Sequence, residues 1–130
     1  MKDTTKDFKK KTRKLKYPAI YKHFEGRYYV TLGVSMPING EEHIGFWADG
    51  CYSENAIHTE NGKEMKIIFN YIDDIFVHNC EDSKDMLVIY RPLYLNDNSL
   101  YARPLEMFLS KVDVEKYPDV DQLYRFEEVK

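Results

Sequence analysis

Three arginines and a group of tyrosines are the side chains here whose types and spacing suggest chemistry. Arg91 and Arg103 each precede a proline, on either side of the polar stretch Asn96-Asp97-Asn98-Ser99. A planar guanidinium meets phosphate or carboxylate through two parallel hydrogen bonds. If the runs 87–95 and 100–104 pair across that tip, both guanidiniums lie on neighbouring strands, and Arg27 in an earlier strand adds a third cation. Tyr90, Tyr94 and Tyr101 supply flat faces on which a base can stack, worth roughly 1–3 kcal/mol per base. Asn96 and Asn98 supply polar edges. These eight residues form the expected ligand site, and a small anionic ligand, nucleotide or cyclic nucleotide, is the chemistry they fit. The competing structural reading pairs Arg103 with Glu106 or another carboxylate while its stem packs on Tyr101.

Other constellations are weaker. His78-Asn79-Cys80, with Cys51 and His58, lacks the tight Cys-x₂-Cys or His-x₃-His spacing of zinc sites, so no metal is expected. Asp73-Asp74, with Glu81, Asp82 and Asp85, reads as a solvated turn, because adjacent aspartates on a strand face opposite ways. There is no Gly-rich phosphate loop, nucleophile elbow or His-Glu-x-x-His, so neither a catalytic residue nor a cofactor is expected.

The elements that must position the arginines are mostly strands. Aromatics make up 15% of the 130 residues, more than a helical bundle needs and well suited to pleated surfaces. Period-two alternation predicts a strand over 27–36, with Tyr28, Val30 and Leu32 on one face and Tyr29, Thr31 and Gly33 on the other. A turn at Glu25-Gly26 precedes that strand, and an Asn-Gly turn follows Pro37-Ile38. A second Asn-Gly turn is expected at Asn61-Gly62, then a strand over 65–70 and a bend at Asp73-Asp74. Strands are expected over 85–95 and 100–104, with Pro92 at an edge or bulge and Pro104 opening a short helix. Leu123, Tyr124 and Phe126 should pack back after a break at Pro118.

The charge is uneven. Residues 1–16 hold eight Lys/Arg and two Asp, or +6, so the remainder carries −9 of the net −3. The expected organisation is a basic arm over 1–16 and one β-rich domain over 17–130. An acidic body argues against a general nucleic-acid face and leaves only the arm to touch phosphates. No apolar run is long enough for a membrane span and no signal segment is visible, so a cytoplasmic protein with free thiols is expected.

Two stretches carry a resemblance. YKHFEGRYYVTLGV (21–34) and LVIYRPLYLNDNSLYARPLEMF (87–108) resemble domain of unknown function 1653, a small bacterial and phage family. The matching residues are Tyr21, His23, Phe24, Gly26, Leu32, Gly33, Val34, Tyr90, Leu93, Tyr94, Arg103, Pro104, Leu105, Met107 and Phe108. The resemblance implies a small β-rich binding module and brings no activity with it. It also marks 35–86 as an insertion, and it places Asn and Ser where the family's turn carries glycine. The expected fold is mainly β (α+β being the alternative): a small antiparallel SH3-like barrel or curled sheet with one or two short helices.

The leading expectation is non-catalytic capture of a nucleotide-like anion, in the manner of phage sponges that sequester immune signals. The alternatives are an interaction module working through the basic arm and a nucleotide-processing enzyme. Phe46, Trp47 and Tyr52 make a homo-oligomer interface a further expectation.

Overall fold

The computed structural model describes residues 13–39, 51–71, 73–94 and 98–130. Asn96, Phe46, Trp47 and most of the basic arm lie outside the described residues. The described chain forms eight strands: β1 (Ala19–His23), β2 (Tyr28–Ile38), β3 (Cys51–His58), β4 (Glu64–Asn70), β5 (Ile75–Asn79), β6 (Leu87–Pro92), β7 (Tyr101–Pro104) and β8 (Phe126–Glu128). One short helix, α1 (Leu105–Phe108), follows β7 directly.

The strands run in the order β5-β4-β3-β7-β6-β2, and a β2–β5 pairing closes the ring into a six-stranded barrel. The barrel expectation is thus met, with two of the pairings, β2–β5 and β3–β7, parallel. Closure depends on the length of β2. Its first half pairs with β1 from Lys22↔Tyr28 to Ala19↔Thr31, and its last four residues pair with β5. The strand extends past the expected end through Pro37 and Ile38, and Gly40 of the expected turn lies outside the described residues. Residues 51–79, inside the expected insertion, supply three of the six barrel strands.

Turn chemistry follows the residues. Gly26 (φ +102°) closes β1–β2 and Gly62 (φ +72°) closes β3–β4, conformations that glycine adopts without steric cost. Gly33 has a different role: a Cβ there would lie 2.7 Å from the Phe76 ring, so only glycine lets that ring seat against β2.

Every barrel strand contributes to an aliphatic interior of Ala56, Met65, Ile67, Leu87, Ile89 and Ala102, with Leu32 and Phe76 packed against it. The alternate residues of β6, Val88 and Tyr90, face the other way. They join Tyr21, Phe108 and Phe126 in a second, aromatic core between the barrel wall, β1, β8 and α1. Phe108 and Phe126 stack at 4.0 Å. Of the tail residues expected to pack back, Phe126 does so as part of β8, whereas Leu123 is exposed. Pro104 stands at the N-cap of α1, where its missing N–H costs nothing.

Candidate functional site

The β1–β2 turn builds one face of the aromatic layer. His23 N–H donates to Arg27 O and Gly26 N–H to His23 O, both at 2.8 Å, which fixes Arg27 beside the end of β6. The Arg27 guanidinium lies over the Tyr94 ring, 4.9 Å from its centroid, and Nη1 approaches the Tyr94 hydroxyl at 3.5 Å. Tyr94 and Tyr29 share a hydrogen bond between hydroxyls at 3.1 Å. Tyr29 in turn sets its ring edge-on to Tyr90 and Phe126. Burial, then the bond to Tyr94, raises the Tyr29 phenol above its ordinary range, so it stays protonated and available as a donor.

His23 stands at the centre of this face, against Phe24, Phe126 and Tyr29. Its Nδ1 accepts the Glu25 N–H at 3.1 Å, which leaves the ring proton on Nε2. Burial lowers its pKa first. Glu25 opposes that shift, and the fields of Arg103, Arg125 and Arg27 add to it. Three guanidiniums therefore act on one ring, on a body that is otherwise acidic.

The expected site residues divide into groups. Arg27 and Tyr94 come together at the surface. Arg103 and Tyr90 come together inside: Nε donates to the Tyr90 hydroxyl at 3.0 Å, and the Tyr90 ring is only 2% exposed. Arg103 also reaches Glu60 at 3.8 Å and lies over Phe126 at 5.4 Å. Its carboxylate partner is Glu60, as the competing structural reading of Glu106 or another carboxylate allows. Tyr101 packs on Tyr90 at 5.8 Å, half-buried.

Arg91 and Arg103 do lie on neighbouring strands, but the register turns them to opposite faces and keeps them out of one site. Arg103 pairs with Val88, so it shares the outer face, whereas Arg91 has the parity of Leu87 and Ile89. Arg91 instead donates to the Asn98 carbonyl at 2.9 Å. Tyr90, buried in the aromatic core, is likewise withdrawn as a stacking face. Tyr29 and His23 were not foreseen as site residues. A hairpin register drawn across Glu25-Gly26 would have placed His23 opposite Arg27.

The basic arm also meets the domain. Arg13 Nη1 and Nη2 donate to the Leu109 and Phe126 carbonyls at 2.8 Å each, with the guanidinium 3.9 Å above Tyr124. A hollow of about 580 Å³ lies between His58-Glu60, the lead into β6 and α1. Leu105 N–H donates to Met86 O at 2.9 Å across it, tying the start of α1 to that lead. Among the described residues no group of three His, Cys, Asp or Glu side chains is placed to hold a metal ion. No helix there is long and apolar enough to cross a membrane.

This is a small β-barrel module with an aromatic outer layer that carries an exposed arginine over a half-buried tyrosine. Residues 70–128 match the family model described as Protein of unknown function (DUF1653), the family that the Arg-Pro-Leu-x-Met-Phe stretch resembles. The matched segment runs from the end of β4 through β8, so it includes Tyr94, Arg103 and α1 but not Arg27 or His23. None of the curated proteins and none of the solved structures compared with the chain matches it.

Proposed function

We propose that this protein is a non-catalytic binding module that captures a small anion bearing a flat ring, a nucleotide or cyclic nucleotide being the closest chemical fit. The observation that carries this reading is Arg27. Its guanidinium is exposed, is held over the Tyr94 ring, and makes no ion pair among the described residues. A cation and a ring already placed together lose little freedom on binding phosphate and base. The revised contact set is Arg27 for phosphate, Tyr94 for stacking, and His23 with Arg125 at the edge. Arg103 acts from behind through its field. Capture without turnover is the behaviour of a sponge for a nucleotide signal.

A thermal-shift screen of cyclic dinucleotides, cyclic trinucleotides and ADP-ribose derivatives tests this. A true ligand at about 100-fold over its Kd adds about 2.7 kcal/mol of stability. Arg27→Ala should abolish that gain, and intact ligand recovered after denaturation separates capture from turnover. No stabilisation by any of these compounds removes the proposal. The reading that relies on the basic arm predicts instead a steeply salt-dependent affinity. It loses support from Arg13, whose guanidinium is already committed to two backbone carbonyls and a ring.

A further inference from the structure

We propose that the hollow beside α1 is a second binding site, separate from the Arg27–Tyr94 pair, and that it takes a lysine- or arginine-bearing peptide segment by its basic side chain. At about 580 Å³ it falls within the range of ligand pockets. Its charge is wrong for an anion: Glu60, Asp85 and Glu106 line it against Lys84 alone. Asp85 and Glu106 make no ion pair among the described residues, and Glu60 reaches Arg103 only at 3.8 Å. Surplus negative potential repels phosphate and draws an ammonium or guanidinium.

Apolar surface lies beside the carboxylates. Met86, Leu105 and Met107 contribute it, and the two thioethers adapt readily to an aliphatic stem.

His58 supplies an independent pointer. It lines the hollow and is 7% exposed. Its Nδ1 accepts the Glu60 N–H at 3.2 Å, so the ring proton is on Nε2. That Nε2–H has no hydrogen-bond partner among the described residues. A buried donor without a partner is costly, and a carbonyl entering the hollow would satisfy it. A basic residue within a peptide combines all three requirements: a carbonyl for His58, a methylene stem for the methionines, and a terminal cation for the acids. A free diamine has no carbonyl, and a fatty acid has the wrong sign.

The test is methyl NMR on the full chain with labelled methionines, using N-acetyl-lysine N-methylamide as the probe. The Met86 and Met107 methyl signals should shift together. The norleucine analogue, with the stem but no charge, should bind about tenfold more weakly if the carboxylates are the recognition element. Glu106→Gln, at an exposed position, should weaken the lysine probe and leave the norleucine analogue unaffected. Cadaverine, with the cation but no carbonyl, should bind more weakly than the lysine probe. Failure of the probe to shift either methyl overturns the site, and equal binding of lysine and norleucine probes overturns the charge assignment. Cadaverine binding as well as the lysine probe overturns the peptide in favour of a free amine.

Discussion

Strand β6 (Leu87–Pro92) separates two cores of opposite character. Leu87 and Ile89 point into a closed barrel of aliphatic side chains, while Val88 and Tyr90 point into an aromatic layer covered by β1, β8 and α1. Polar side chains buried on the barrel strands have to be paired, as Ser35 and His78 are at 2.7 Å, since a ring of strands leaves them no route to water. The outer layer reaches solvent at its rim, and its residues have an apolar body with a polar tip. The Tyr90 hydroxyl accepts from Arg103, the Tyr29 and Tyr94 hydroxyls bond to each other, and Tyr94 lies under Arg27. Polar tips therefore gather where the core is built of amphipathic residues, and the closed side serves as their scaffold.

That contrast can be tested, starting where the effect is largest. Phe108→Ala removes a fully buried ring that stacks on Phe126 and touches Tyr21 and Tyr90 edge-on. It should cost about 3–5 kcal/mol in urea unfolding, against about 0.5–1.5 kcal/mol for Ile89→Val in the barrel. If Phe108→Ala costs no more than Ile89→Val, the aromatic layer is not a core in its own right.

Gly33→Ala forces a methyl against Phe76 and should destabilise by about 1–3 kcal/mol. A second change, Phe76→Leu, should recover part of that loss if the clash is the cause. Arg103→Met leaves the buried Tyr90 hydroxyl without its donor, at about 1–3 kcal/mol. Adding Tyr90→Phe should lessen the penalty, and strict additivity of the two changes would mean that the bond contributes nothing.

Acid should weaken both regions. His23 in the aromatic layer and His78, bonded to Ser35 at 2.7 Å and to the Ser83 carbonyl at 3.1 Å, both have pKa values lowered mainly by burial. Their folded values lie below the unfolded value near 6.5, so the unfolded chain takes up protons first. Stability is complete above about pH 6.5 and falls as the pH drops below it, by at most about 1.4 kcal/mol per pH unit for each histidine. Melting curves from pH 7.5 to 5 should show the decline, and His78→Asn should make it shallower while leaving the share that His23 carries. The smallest effect on folding belongs to Arg27→Ala, within about 0.5 kcal/mol for an exposed residue. The same change should have the largest effect on the proposed anion capture.

Much of the scaffold was legible from neighbouring residues. The turns at Glu25-Gly26 and Asn61-Gly62, the strands expected over 27–36, 65–70 and 85–95 (the last shortened to Leu87–Pro92), and the helix opened by Pro104 follow from residue alternation and backbone preferences. β8 was not legible, because three residues in a polar tail form a strand only when β1 offers an edge. The site was half legible. Arg27 and Tyr94 were named but not joined, and Arg91 and Arg103 were joined but do not meet.

The amino-acid sequence alone determined a mainly β chain, its tight turns, the uneven charge and the aromatic supply for a pleated surface. These depend on residues close together along the backbone. Tertiary structure decided which guanidinium stays exposed. Arg103 is spent on Tyr90 and Glu60, Arg13 on two carbonyls, and Arg27 remains over Tyr94. The reason is physical: hydrogen-bond partners far apart in the chain are chosen by register and barrel closure, and a one-residue change of register turns every side chain of a strand to the other face.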